Sequence, residues 1–467
     1  MAYDKVFNSV LWSVAKNWGG RLTSLVVFMV LTRLLDARAV GAVAFVGAIL
    51  AVLVSLAEMG LAEYLIYRQD DEASRNQIFW FQVYVASAVF ALAVLLGPPV
   101  LRAVGQHDAA QVFPYLCLIL PLASLTSVQD AIQRRALKFK GVAIRSLVGM
   151  LVGGALGVAT AAAGGGMWSL VVKQLAESVV IAGLLWRMSD WRPRWRCDWA
   201  GFGKIFHYGR YLAGGRLLDV LTTNVDDMIV GLAIGQNQLG LYSIGKKLYM
   251  MSAELLTGVA YQISGPIFAK ARQDGAALWS MFVKVVGYCS WLVVPLYSAL
   301  YFFAPEVVLL LFGEKWGGAV WILQTYCFVG MLIPLYLFHW SLLMASGSAE
   351  RSFRFSLVRN LGGIAILGAA ILGGWQLFVM AQIARVLFNI GVGEFFLRRF
   401  LPFRQWVLWR ALLPALASGA AVALVYLAAQ ASGQLLLRAA AVALVLAGSY
   451  TFLFKKIWMD KRKNEDS

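Results

Sequence analysis

The sequence predicts an all-α polytopic membrane protein of about fourteen transmembrane helices, built as two six-helix bundles with two helices appended at the C-terminal end. Three observations predict it. Of the 467 residues, 60% are hydrophobic and only 14% are charged, well outside the composition of soluble globular domains. Apolar windows of bilayer-crossing length recur along the whole chain. Finally, Lys and Arg alternate between successive connecting segments instead of spreading evenly.

The windows run over 10–32, 39–65, 77–97, 113–133, 142–163, 167–186, 206–234, 240–264, 280–303, 319–345, 356–372, 377–397, 410–430 and 436–454. Segments after the even-numbered windows hold 25 Lys/Arg, whereas those after the odd-numbered ones hold 5. Both termini are therefore expected in the cytoplasm, and most of the net charge of +17 is topological, with no nucleic-acid partner implied. The first window reads as a retained span and is not expected to be a cleaved signal, because Lys16 and Arg21 interrupt its apolar run.

No connecting segment exceeds about 18 residues, which leaves no room for a nucleotide-binding or periplasmic catalytic domain. Cys117, Cys197, Cys289, Cys327, His107, His207 and His339 show no metal-ligand or disulfide spacing, so they read as packing residues and no metal site is expected. The run from Gly240 to Lys247 approaches a phosphate-binding loop, but it lacks the Ser/Thr after its lysine and falls within a helical window. Trp80, Trp186, Trp316 and Trp406 fit interfacial belts.

An internal repeat underlies the two bundles. Gly19, Gly20 and Arg21 match Gly214, Gly215 and Arg216; Gly41 matches Gly240; Arg145 and Gly149 match Arg359 and Gly363; and Gly165, Gly166 and Trp168 echo Gly373, Gly374 and Trp375. The order is preserved over two six-helix units. An even number of spans keeps the halves in one orientation, which predicts a pseudo-twofold axis along the membrane normal. The expected lobes are residues 1–190 and 191–400, with 401–467 as two further helices and a basic tail. In window five, Gly149, Gly153 and Gly157 stand at four-residue spacing, which lets helices approach closely.

Charges inside the windows are the main functional signal, since each costs about 2.5–3.5 kcal/mol on insertion scales and is expected to face protein or water. In window one, Ser13, Asn17, Arg21 and Ser24 share a helix face, with Lys16 beside it. In window seven, Arg216, Asp219, Thr223 and Asp226 share another, with Arg210 earlier and Asp227 adjacent; window eight adds Lys246, Lys247 and Glu254. Arg21 and Arg216, as repeat equivalents, are expected to line a cavity for an anionic substrate, with Lys16, Asn17, Arg210, Lys246 and Lys247 contributing. Lys16 also fits a role snorkelling to the interface. Asp219, Asp226, Asp227 and Glu254 either pair with the basic groups or bind a coupling proton or Na+. Lys173 and Glu177, at i and i+4, read as an intrahelical pair.

The stretch from Leu217 through Asn224, Asp226, Gly231, Gly235 and Gly240 to Tyr242 resembles the seventh-span signature of bacterial polysaccharide transporters, the O-antigen and exopolysaccharide repeat-unit flippases of the multidrug/oligosaccharidyl-lipid/polysaccharide exporter superfamily. Thr32, Arg33 and Leu35 leading to Gly41, Glu58 to Gly60, Gln133 to Lys140, and Gly265 and Pro266 leading to Asp274 support it; Asp36, Ala37 and Arg38 replace a common Gly-Pro turn. The resemblance spans windows one to twelve. It implies movement of undecaprenyl-pyrophosphate-linked oligosaccharides to the periplasmic leaflet by alternating access, in a bacterial inner membrane and without bond chemistry. The partners it implies are the lipid-linked oligosaccharide, membrane lipids, a polysaccharide polymerase and a chain-length regulator. The rivals are a multidrug cation antiporter, which would favour an acidic lumen, and a membrane polymerase or glycosyltransferase, which would need catalytic carboxylates or histidines on a sizeable loop.

Overall fold

The computed structural model describes residues 19–20, 22–67, 71–195, 198–270, 274–345, 349–398, 405–430 and 434–465. Among these all regular structure is helical. The first element is α1 (Leu22–Leu34). It is followed by α2 (Ala37–Glu58), α3 (Ala62–Tyr67), α4 (Glu72–Ala103), α5 (His107–Leu116), α6 (Ile119–Arg135), α7 (Phe139–Ala162), α8 (Trp168–Met188) and α9 (Phe202–Ala233). Then come α10 (Gln236–Lys270), α11 (Gly275–Phe302), α12 (Ala304–Phe312), α13 (Val320–Leu337), α14 (His339–Ala345), α15 (Ala349–Ala370), α16 (Trp375–Leu397), α17 (Gln405–Gln430) and α18 (Leu435–Glu465).

Among the described residues eleven helical segments are long and apolar enough to cross a membrane, and α1 is a shorter apolar helix. This is a multi-pass membrane protein. The count among the described residues differs from fourteen for a physical reason. Windows seven and eight are α9 and α10, of 32 and 35 residues, long enough at about 1.5 Å per residue but too polar to face lipid on all sides. Two segments expected as connections are helical. The α4 helix continues through Pro98 and Pro99 to Ala103, and α12 with a 3₁₀ turn (Glu314–Ala319) fills 304–318. Trp316, expected at an interface, is instead fully buried within that corner.

The chain divides into two compact units, Met1–Ser243 and Ile244–Ser467. The division falls beyond residue 190, because α9 packs along α2 and so lies with the N-terminal helices. In the first unit α7 packs on α8 through its glycine stripe. A β-carbon on Gly153 would lie 2.6 Å from the Lys173 carbonyl oxygen, and one on Gly157 2.7 Å from the Lys173 Cβ. The α8–α9 linker is held to α4, where Gln77 Nε2 donates to the carbonyls of Asp198 (2.6 Å) and Ala200 (2.9 Å) and Trp80 Nε1 to that of Arg194 (2.7 Å). In the second unit α11 packs against α13, α17 and α18, and α15 against α16.

Candidate functional site

The polar groups of the first unit gather at two levels along α9. At one, α2 ends in Met59 and Gly60, both left-handed (φ 49° and 62°), and this tight turn brings α3 back beside the end of α2. Glu58 and Glu63 thereby flank Arg216 of α9. One guanidinium nitrogen of Arg216 lies 2.8 Å from Glu58 Oε2 and another 3.2 Å from Glu63 Oε1. Arg216 keeps 43% of its side chain accessible, so the triad is open on one side. Gln82 Nε2 donates to the Glu58 carbonyl at 2.8 Å, and Arg135 donates to the carbonyl of Leu65, so both ends of the turn are tied.

About two turns beyond, Thr222, Thr223 and Asn224 return their donors to the carbonyls of Leu218, Asp219 and Val220 at 2.6–2.8 Å. Such back-bonding satisfies polar side chains within a helix and leaves the neighbouring face for other contacts. Asp226 is buried and accepts a 2.7 Å hydrogen bond from the Tyr242 hydroxyl. At the far end of α9, Gln106 Nε2 donates to the Gly231 carbonyl (2.7 Å) and Gln236 Nε2 to Gln106 Oε1 (3.0 Å), both side chains buried. Arg38 pairs with Asp108 at 2.5 Å at this same end.

The sequence-predicted residues therefore separate. Lys16, Asn17 and Arg21 lie outside the described residues. Arg210 and Asp219 are exposed on α9, and Asp227 is half-buried beside Asp226. Lys246 and Lys247, half-buried, and the exposed Glu254 lie on α10 in the second unit. Arg216, for which the aspartates of its own helix are one set of candidate partners, is held by Glu58 and Glu63 from the α2–α3 turn, and Asp226 accepts from a tyrosine. The two Gly-Gly-Arg sites also differ in surroundings. Gly19 and Gly20 face Leu147 and Met150 of α7, whereas β-carbons on Gly214 and Gly215 would meet open space.

Sequence reasoning missed a second polar group, inside the second unit. Tyr249 of α10 stacks on Tyr326 (centroids 4.7 Å, 24° between planes), lies 6.2 Å from Tyr297, and shares a hydrogen bond with Tyr336. Arg359 and Arg385 are near enough to act electrostatically on the Tyr336 hydroxyl. Arg385 lies across Gly363, where a β-carbon would sit 3.1 Å from its Nε. Both arginines are half-buried within apolar spans, Arg385 near the middle of one. That placement in window twelve was the available signal, since a mid-span guanidinium has the same insertion cost as Arg216.

Residues 30–321 match the family described as Polysaccharide biosynthesis protein. The chain belongs to this family. Among relatives of this member, the lipopolysaccharide biosynthesis protein WzxC of Escherichia coli (strain K12) is 23% identical over 79% of the chain and 75% of its own length. The teichuronic acid biosynthesis protein TuaB of Bacillus subtilis (strain 168) is 22% identical over 74% and 71%. The succinoglycan biosynthesis transport protein ExoT of Rhizobium meliloti (strain 1021) is 22% identical over 67% and 64%. In fold, this family member is similar to the lipid II flippase MurJ in its inward closed conformation, with a TM-score of 0.78 at 10% identity, covering 96% of this chain and 99% of MurJ. An inward-facing multidrug resistance MATE family transporter of the MOP superfamily gives 0.62 at 14% identity, over 82% and 95%.

Proposed function

We propose that this protein is a flippase that moves undecaprenyl-pyrophosphate-linked oligosaccharide repeat units from the cytoplasmic to the periplasmic leaflet, for surface polysaccharide biosynthesis. The observation that carries the reading is α9: a membrane-length helix bearing Arg210, Arg216, Asp219, Thr223 and Asp226 can cross a bilayer only with that polar face turned to protein or water. Family membership and the MurJ-like fold support the cargo class. Arg21, Arg210, Arg216, Lys246 and Lys247, with Lys16 and Asn17, are the basic and polar groups suited to a pyrophosphate, whose oxygens accept bidentate hydrogen bonds from guanidinium. Binding of cargo by Arg216 requires exchange of Glu58 or Glu63 for phosphate.

The protein makes and breaks no bond. It sits in the bacterial inner membrane with both termini in the cytoplasm, as the alternation of Lys and Arg supports. In that orientation the Arg216 triad lies toward the cytoplasm. A proton or Na+ gradient supplies the work, and a polymerase and chain-length regulator take the product. The test is a strain deleted for this protein. It should accumulate lipid-linked repeat units confined to the cytoplasmic leaflet, and purified protein in vesicles should flip them. Normal periplasmic delivery in the deletion strain overturns the proposal.

A further inference from the structure

The eleven apolar spans hold few carboxylates, and all but one stand within six residues of a span end: Glu58, Glu72, Asp108, Asp130, Glu314 and Glu394. Among those eleven spans, which leave aside the more polar α9 and α10 with Asp219, Asp226, Asp227 and Glu254, the exception is Glu177, the tenth residue of the 21-residue span Trp168–Met188. A carboxylate at that depth is expensive and marks an ion or proton pathway by default. Glu177 Oε2 accepts from Lys173 Nζ at 3.1 Å, and the two side chains are 19% and 27% accessible, so the pair is neither sealed in the core nor fully hydrated.

Two features make this pair suited to opening and closing. Lys173 precedes Glu177 by four residues, the weaker of the two orders for a helical ion pair. The stems are also fixed from the side: Gly149, Gly153 and Gly157 let the α7 backbone press on Lys173 and Glu177, with a Gly153 β-carbon 2.8 Å from the Glu177 Cβ. Only the charged ends are left to rearrange. The α7 face toward Glu177 carries glycines and no charge.

The other charged groups on the helices packed against α8 are engaged at helix ends. Arg145 of α7 and Arg134 of α6 hold Asp130, Arg135 holds the Leu65 carbonyl, Arg38 of α2 holds Asp108 of α5, and Glu58 holds Arg216; His107 and Lys140 stand in first turns. Among the described residues Lys173 is the charged group paired with Glu177.

The geometry points to Glu177 as the group that carries the coupling proton, released from Lys173 when protonated and re-paired when the proton leaves. This rests on the flippase reading. A proton from water adds to one carboxylate oxygen on one side of the membrane and returns to water on the other. The cation is a proton and not Na+, because one carboxylate already shared with an ammonium offers too few oxygens to replace the hydration shell of a hard metal cation.

The experiment uses the full chain in vesicles, with a fluorescent undecaprenyl-pyrophosphate trisaccharide as cargo and a pH-sensitive dye inside. Wild-type protein should show cargo-dependent proton movement. Glu177→Gln should lose it while still exchanging cargo down a gradient. The paired variant Lys173→Gln/Glu177→Gln, which leaves no lone charge in the span, should behave the same and guards against misfolding of the single variant. Proton movement retained by either variant, or wild-type cargo movement that follows Na+ and ignores pH, overturns the assignment alone. Failure of wild-type protein to move cargo at all overturns the flippase reading.

Discussion

Gly41 of α2 and Gly240 of α10, corresponding positions of the two sequence repeats, abut backbone to backbone. A β-carbon on Gly41 would overlap the Gln236 carbonyl and lie 2.8 Å from the Gly240 nitrogen, and one on Gly240 would overlap the Ala37 carbonyl. The only side chain that fits either position without displacing backbone is hydrogen. Gly41→Leu or Gly240→Leu should therefore hold the α2 and α10 ends apart. In a cysteine-accessibility assay, a probe cysteine at Ala44 should label faster than in the parent, and polymer export should fall. Unchanged labelling in both variants would refute the contact.

The Arg216 triad makes a prediction of sign. If Arg216 alternates between carboxylate and phosphate, Arg216→Ala should abolish export at normal membrane levels. The double variant Glu58→Gln/Glu63→Gln should instead bind the lipid-linked cargo more tightly and release it more slowly. Equal loss of binding in both variants would mark the triad as purely structural.

The Asp226–Tyr242 bond is buried, and losing a hydrogen bond to a charged group costs about 1.5–3 kcal/mol. Tyr242→Phe should lower the thermal midpoint in detergent, and Asp226→Asn, which still accepts from the hydroxyl, should lower it less. A larger drop for Asp226→Asn, together with loss of transport, would instead give Asp226 a role in ion coupling.

Arg385 sits in the middle of an apolar span near Tyr336, and its role is separable from packing. Arg385→Met preserves much of the stem while removing the charge. Transport should fall with expression unchanged, and Arg385→Lys should restore it only in part, because an ammonium lacks the guanidinium fork. Full activity of Arg385→Met would exclude the second unit's polar group from cargo handling.

At the end of the appended helices, Glu306 of α12 accepts from the Tyr426 hydroxyl of α17 (3.3 Å) and pairs with Arg438 of α18 (3.5 Å), whose guanidinium lies 5.8 Å from the Tyr426 ring centre. Arg438→Ala should loosen α17 and α18 from α12, seen as faster proteolysis of the 431–438 segment. Export should change little if those helices only brace the second unit.

The helices, their membrane character and the family were all legible in the sequence, because burial in lipid imposes a length and an apolarity that any window of the chain displays locally. The sequence aligned Gly41 with Gly240 as repeat equivalents but gave no sign that the two residues touch. Which carboxylates meet Arg216 was not legible. Glu58 and Glu63 precede it by more than 150 residues and reach it only through the left-handed turn at Met59 and Gly60, whereas Asp219 lies only three residues along α9. An ion pair depends on distances between helices, and those are set by how glycine-lined faces settle against one another, not by spacing along any one of them.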